Sequence, residues 1–359
     1  MGTTYAGKPA TLTNTAAAPA HLVRIATAVP PIVATADEIW TALGRVRGRA
    51  MPRATGMEGA RTRHLAQPLP SLMRLRTQNQ QTDAYLEHAR LLARAVCCDV
   101  LAETDRRDDV GLVIGVSCTG VVLPSLDAEL IPVLQLPPTV GRLPITELGC
   151  GGGVAGLARA VDYLRAYPGR SVLLFAVELP SLTFQPDDRS LDNLVAAMVF
   201  GDGAGAALLR GGDSPHGVVV EHCGTALIPD GASSLGFELR DGGLRVVLSR
   251  ELPQVVEAHL RDAVETFLTE AGLTLADIDV VAAHPGGPRI FEAIERSLDL
   301  PPDALTVSRR VFADYANASS AGIFFVLDAL VKCRASGRAL AIAFGPGLSI
   351  ELALLRLGT

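Results

Sequence analysis

Three side chains of chemical interest stand where the chain repeats itself. Cys150 lies in LPITELGCGGGVAGLARAVDYLRAYPGRSVLLFAVE, at a glycine-rich turn from a strand into a helix. Asn317 lies in FADYANASSAGIFFVLDALVKCRASGRALAIAFG, at the offset 317 − 150 = 167. The strands that follow begin at Ser171 and Arg338, where 338 − 171 = 167, and the apolar runs LVIGVS and DVVAAH end at Ser117 and His284, where 284 − 117 = 167. A duplicated α/β unit carries a cysteine, a histidine and an asparagine onto strand or helix ends. A thiol nucleophile combined with an imidazole and an amide points to acyl-thioester chemistry.

Each residue also has a plain structural reading. A lone cysteine is commonly a small buried apolar group. Here Gly149, Gly151, Gly152 and Gly153 leave room for backbone to approach a bulky thioester. The helix that follows aims its N–H groups and dipole at the sulfur, which favours thiolate. His284 stands in AAHPGGPRI, so a strand end followed by proline and two glycines sets the imidazole at a sheet's carboxyl edge. Open α/β sheets keep their sites there. Asn317, in DYANASSAG, would ordinarily be a helix N-cap; its repeat relation to Cys150 makes it a site residue. A competing motif is GGGVAG at 151–156, which satisfies G-x-G-x-x-G, with Glu178 at 178 − 156 = 22 residues beyond as a ribose-binding acid. A glycine-rich run meets that pattern easily, and a dinucleotide site leaves Cys150, His284 and the repeat unexplained. GDGAG at 201–205 lacks a following helix and is not a phosphate loop.

The elements that position these residues alternate as in a layered α/β protein. Strands are expected at 22–28, 110–117, 171–177 and 204–209, with helices at 36–46, 82–104 and 151–166. A second half over 213–359 follows the first, 21–212. It has strands at 217–223, 278–283, 339–344 and 349–356, a hairpin at Asp241-Gly242-Gly243, and helices at 254–271, 288–297 and 318–334. The 359 residues, 48% hydrophobic, fit two units with a large core. A formal net charge of −6 and a pI near 5.7 provide no basic field for nucleic acid. Cysteines at 97, 98, 118, 150, 223 and 333 form no C-x-x-C pair, which fits a reduced, cytoplasmic protein and no metal site. Residues 1–20 are Ala/Thr-rich and read as a mobile arm, not a secretory signal. The longest uncharged run, Val110 to Leu126, contains Gly, Ser, Thr and Pro and reads as strand plus loop, with no membrane span.

GCGGG around Cys150, FGDGAGA from Phe200, HPGGPRI around His284, YANASS around Asn317 and AFGPGLSIE from Ala343 together resemble the thiolase superfamily. Within it they resemble type III polyketide synthases, the chalcone-synthase-like enzymes, on the bacterial branch. HPGG and FGPG discriminate against the β-ketoacyl synthases of fatty-acid synthesis. The resemblance covers about residues 21–359. It implies duplicated αβαβα halves in five layers, a homodimer, and no cofactor beyond coenzyme A thioesters as substrates. Cys150 would take a starter acyl group from coenzyme A. His284 and Asn317 would polarise the malonyl carbonyl so that decarboxylation of malonyl-CoA gives an enolate, which attacks the acyl-Cys150 thioester. Phe200 would orient the malonyl group. The arginine-rich stretch 45–63, with Arg47, Arg49 and Arg53 foremost, would meet the phosphates of coenzyme A. The cavity positions correspond to Cys118, Thr119, Leu123, Thr183, Ala196, Val246 and Ser319. Val246 stands where plant relatives carry a large aromatic residue, and Ala196 is small. A wider pocket and an aliphatic acyl-CoA starter are expected, leading to a resorcinol, pyrone or related ring, although Phe237 adds bulk. Two other readings are a β-ketoacyl synthase III-like or ketosynthase enzyme that condenses carrier-bound chains once, and a non-catalytic partner of the same fold that binds acyl groups.

Overall fold

A computed structural model describes residues 19–47, 60–102, 106–212, 217–229 and 231–358. Nearly all of the expected arm, together with Arg49 and Arg53, lies outside them. The first half contains β1 (Ala20–Ala28), β2 (Ile32–Thr35), α1 (Ala36–Arg47), β3 (Thr62–Leu65), α2 (Leu69–Leu72), α3 (Gln78–Leu101), β4 (Val110–Val116), α4 (Leu126–Val133), β5 (Gly141–Ile145), α5 (Gly152–Ala166), β6 (Ser171–Glu178), α6 (Leu191–Val199) and β7 (Gly203–Gly211). The second contains β8 (Val218–Leu227), β9 (Leu235–Arg240), β10 (Gly243–Leu248), α7 (Leu252–Glu270), β11 (Val280–Ala283), α8 (Pro288–Leu298), α9 (Thr306–Tyr315), α10 (Gly322–Lys332), β12 (Gly337–Gly345) and β13 (Ser349–Leu357).

The strand order is β11-β12-β13-β8-β1-β7-β6-β4-β5. β1 and β8 pair only over Ala20–Leu22, so two half-sheets meet at a short seam. Outward from that seam the halves match. β4–β6 and β11–β12 are parallel pairs, while β6–β7 and β12–β13 are antiparallel. The duplication is therefore built into the pairing.

Period-2 alternation explains the layers. In β6, Val172, Leu174 and Ala176 face one core while Leu173, Phe175 and Val177 face another. In β12, Ala339, Ala341 and Ala343 join the first core while Leu340, Ile342 and Phe344 enter a third. The shared core holds α5 and α10, through Val154, Leu157, Phe324 and Leu327. The outer cores hold α3, through Ala89 and Val96, and α7 and α8, through Val256, Leu260 and Phe291. The order is helix, sheet, helix pair, sheet, helix: five layers. Among the described residues no helix is long and apolar enough to cross a membrane.

The repeat slips at the site. Single-turn 3-10 helices run Gly149–Gly151 and Ser319–Ala321, and 319 − 149 = 170. By this register Ser320, not Asn317, is the counterpart of Cys150. Asn317 comes from the extended stretch ahead of the turn.

Candidate active site

Cys150 is the middle residue of the 3-10 turn that feeds α5. Its glycines make room for protein more than for a ligand. Gly149 has φ 46°, and a Cβ there would lie 2.6 Å from Pro346 Cδ. At Gly151 a Cβ would lie 2.9 Å from Glu351 Cγ, and at Gly152 it would lie 2.6 Å from Val116 Cγ1. The turn is thus pressed onto β4 and the β12–β13 loop, which fixes where the sulfur points.

Asn317 is held at both ends of its backbone. Its N–H donates to Val199 O at 2.9 Å, and its carbonyl accepts from Gly201 N–H at 3.0 Å, a parallel bridge across Phe200. Its Oδ1 accepts the Ser319 N–H at 2.8 Å, a cap-like bond. Its amide nitrogen lies 3.9 Å from Cys150 Sγ. The plain capping role and the site role coexist in one side chain. Ser319 Oγ lies 3.7 Å from Cys150 Sγ and 3.3 Å from Cys118 Sγ. His284 follows β11, its N–H donating to Ile342 O at 2.7 Å. The ring sits on the start of α10; among the described residues neither of its nitrogens makes a hydrogen bond of full geometry, and Asn317 is near enough to favour the charged ring. Cys150, His284, Asn317 and Phe200 line one pocket of about 370 Å³, with Val199 and Phe344 among its apolar walls.

Burial sets the charge states. It pushes the Cys150 thiol up to about 11, outweighing the hydrogen bond to Ser319; buried Glu178 adds to the rise, and Asn317 works against it. Desolvation thus opposes the pull of the helix start on the sulfur. Burial lowers His284 to about 4, with Asn317 acting the other way. In each case burial disfavours the charged form of the group taken alone. These shifts reflect the cost of making one charge alone in a dry site. Moving the thiol proton to the imidazole makes two opposite charges together, and their attraction in a dry site offsets part of that cost.

Glu178 is not a ribose acid. It is fully buried and accepts from the Cys118 and Thr119 N–H groups, each at 3.2 Å, from Thr119 Oγ1 at 2.7 Å and from Ser320 Oγ. It ties the strand-end loop to the start of the α10 turn. Cys118 and Thr119 stand behind the nucleophile through Ser319 and Glu178. Thr183, Ala196 and Val246 meet Phe200 around a second chamber of about 40 Å³, so Phe200 borders both spaces. Among the described residues the space that Val246 and Ala196 line is about 40 Å³, narrower than expected. Val246 pairs across the β9–β10 hairpin with Phe237, and Ile39, Leu69, Leu72 and Met73 close the far side. Leu123 is 95% exposed and lines neither space.

The basic residues divide differently from expectation. Arg47 ends α1, and Arg49 and Arg53 lie outside the described residues. Arg61 pairs with Asp314. Arg63 is 1% exposed, so it does not meet a ligand in solvent, and burial lowers its guanidinium to about 10. Arg250 and Arg289 were missed. Both are exposed and line the pocket of Cys150, and among the described residues neither has an ion-pair partner. Arg289 lies within the HPGGPRI motif itself, and Arg250 follows the β10 hairpin strand, where position alone carries no signal.

Comparison with known proteins agrees with this geometry. Residues 63–214 match the profile described as chalcone and stilbene synthases, N-terminal domain, and residues 220–358 match the corresponding C-terminal domain. The chain is 40% identical over 306 residues to a 1,3,6,8-tetrahydroxynaphthalene synthase of Streptomyces peucetius subsp. caesius, covering 83% of this chain and 81% of that one. It is 31% identical over 278 residues to an alpha-pyrone synthesis polyketide synthase-like protein of Mycobacterium tuberculosis, covering 74% and 70%. The crystal structure of 1,3,6,8-tetrahydroxynaphthalene synthase from Streptomyces coelicolor A3(2) superposes with a TM-score of 0.89 at 31% identity, covering 94% of this chain and 99% of that one. With a five-layered duplicated fold and a cysteine, a histidine and an asparagine on one pocket, the chain belongs to the chalcone and stilbene synthase family and is a type III polyketide synthase, an acyltransferase acting on coenzyme A thioesters.

Proposed function

We propose that this enzyme extends a short acyl-CoA starter with malonyl-CoA units on Cys150 and closes the product to a resorcinol, pyrone or related small ring. The carrying observation is the convergence of Cys150, His284 and Asn317 on a single pocket. The Cys150 thiol passes its proton to the neutral His284 imidazole, and the thiolate attacks the acyl-CoA carbonyl. Coenzyme A leaves as its thiol, taking the proton back from the imidazolium. Malonyl-CoA then occupies the same pocket. Its carboxylate carbon–carbon bond breaks, carbon dioxide leaves, and the electron pair moves onto the thioester oxygen as an enolate. N–H groups of His284 and Asn317 receive that oxygen, and preorganised donors are worth most in a dry site. The enolate carbon attacks the acyl-Cys150 carbonyl and expels the thiolate, leaving a chain two carbons longer on coenzyme A.

Pocket size supports a short aliphatic starter. The inner chamber of about 40 Å³ is far smaller than the outer pocket of about 370 Å³, so chain growth has mainly the outer pocket for room. Relatives named for tetrahydroxynaphthalene and alpha-pyrone synthesis favour ring products. Arg250 and Arg289 are the cations best placed at the pocket for the phosphates of coenzyme A. A homodimer fits the exposed apolar side chains Leu91, Val121, Leu123 and Val133. The test is incubation of the protein with malonyl-CoA and a panel of acyl-CoAs, with product masses read out. Absence of any extended product counts against the proposal.

A further inference from the structure

Arg63 occupies an unusual place. It sits on β3, in register with Ala34 of β2, and is 1% exposed. Among the described residues it faces no carboxylate. Its Nη1 donates to Ala197 O at 2.9 Å, and its Nε has no partner. A buried, unpaired cation is costly. What it meets is the last turn of α6, whose unsatisfied carbonyls form the negative end of the helix dipole. Phe200 is the C-cap residue of that helix.

The same strand grips the next residues of the chain. Asp202 N–H donates to His64 O at 2.9 Å, and the Asp202 carboxylate accepts from Ala66 N–H at 2.6 Å. A Cβ on Gly201 would lie 3.2 Å from Arg63 Cβ. The gripped turn in turn holds Asn317, through Val199 O and Gly201 N–H. A continuous set of bonded contacts therefore runs from Arg63 through the α6 end and Phe200 to Asn317. Cys150 itself is set by α5 and the β12–β13 loop, and meets this set only at the 3.9 Å approach of the Asn317 amide to its Sγ.

We propose that Arg63 is a positioning residue for the enolate-forming half of the reaction: clamping the end of α6, it sets Phe200 and Asn317 and leaves acylation of Cys150 alone. This rests on the polyketide synthase mechanism above, so the wild type is measured first. A wild type that neither acylates Cys150 nor decarboxylates malonyl-CoA refutes that mechanism and not the role of Arg63. In Arg63→Met, malonyl-CoA decarboxylation should lose on the order of 10²-fold in kcat, the cost of a misplacement near 1 Å. KM should stay within about threefold, because Arg63 is not a pocket residue. Acylation of Cys150, followed by intact mass, should also stay within about threefold. Arg63→Lys should recover most of the loss, since lysine also satisfies helix C-terminal carbonyls. If Arg63→Met does not fold, Arg63→Gln, which keeps an N–H donor, carries the same comparison. Equal loss in both half-reactions, no loss in either, or failure of both variants to fold overturns the proposal.

Discussion

Replacing Asn317 by Asp separates its two roles. Its Oδ1 accepts the Ser319 N–H at 2.8 Å, and a carboxylate oxygen can accept that bond as well. The turn into α10 should therefore persist, with a stability change below about 1 kcal/mol from the cap. The amide nitrogen, 3.9 Å from Cys150 Sγ, is lost as a donor to the enolate. Removing one oxyanion donor typically costs ~10²–10³ in rate, or about 2.7–4 kcal/mol. The new carboxylate also faces a sulfur that must become anionic, and two like charges ~4 Å apart repel by about 4 kcal/mol at an effective dielectric near 20. Decarboxylation and Cys150 acylation should both fall by at least about 10², while the thermal midpoint moves little. The assay is conversion of malonyl-CoA to acetyl-CoA by chromatography at pH 8, with acylation followed by intact mass. A variant that decarboxylates at near-wild-type rate shows that Asn317 is only a cap, and the oxyanion argument falls.

Other outcomes follow from the same site. Cys150→Ala should abolish acyl adducts yet retain malonyl-CoA decarboxylation; an adduct on Cys118 or Cys223 in the wild type, with none on Cys150, rejects the nucleophile assignment. The double change Arg250→Ala with Arg289→Ala should raise KM for malonyl-CoA at least about tenfold, as loss of a charged hydrogen bond does, and leave malonyl-pantetheine unchanged; an equal effect on both substrates removes these arginines from phosphate binding. His284 is lowered to about 4 when folded against an ordinary 6.5. Between those values the unfolded chain holds a proton that the folded chain lacks, so stability rises with pH and is lost as pH falls from about 6.5 toward 4, by up to ~3 kcal/mol. Urea unfolding at pH 7 and pH 4.5 should show a smaller drop in His284→Gln than in wild type, and identical drops contradict the shift. Val246→Phe should fill the inner chamber and leave acetyl and hexanoyl loading alike intact, because chain growth uses the outer pocket; selective loss of hexanoyl loading shows that the chain threads past Val246.

The chemistry was legible because glycine and proline mark backbone that must turn sharply beside Cys150 and His284. The strands were legible because VLLFAV and LAIAF are buried on both faces and leave near-continuous apolar runs. The repeat was legible too, but its fixed offset misled at the site: the 3-10 turns are 170 apart, so a gapless count paired Cys150 with Asn317 in place of Ser320. Helices α6 and α9 were not read. LDNLVAAMV is short, and the charges in TVSRRVFADY hide the buried Val311 and Phe312. Arg63 looked like part of a solvated basic stretch. Only the pairing of β3 with β2 turns its face inward, and only its alternation with the buried Leu65 hints at that. Leu123 was assigned to the cavity by resemblance. Its exposure is a tertiary fact that local pattern does not encode.

One cause links the charge states to the catalytic contacts. The same buried walls raise the Cys150 thiol and lower the His284 imidazole, with Asn317 working against both shifts. In the proposed mechanism the imidazole takes the thiol proton as Cys150 attacks, returns it as coenzyme A leaves, and can then donate to the malonyl oxygen. The two halves of the fold divide this work. α5 and the first half present the sulfur, while β11 and the approach to α10 present the imidazole and amide. Phe200, at the end of α6 and bridged to Asn317, is where the halves touch beside the pocket of Cys150. A shift of one half against the other would separate the Cys150 sulfur from His284 and Asn317. The interlocked core of α5 and α10 is therefore part of the active site's geometry as much as of its stability.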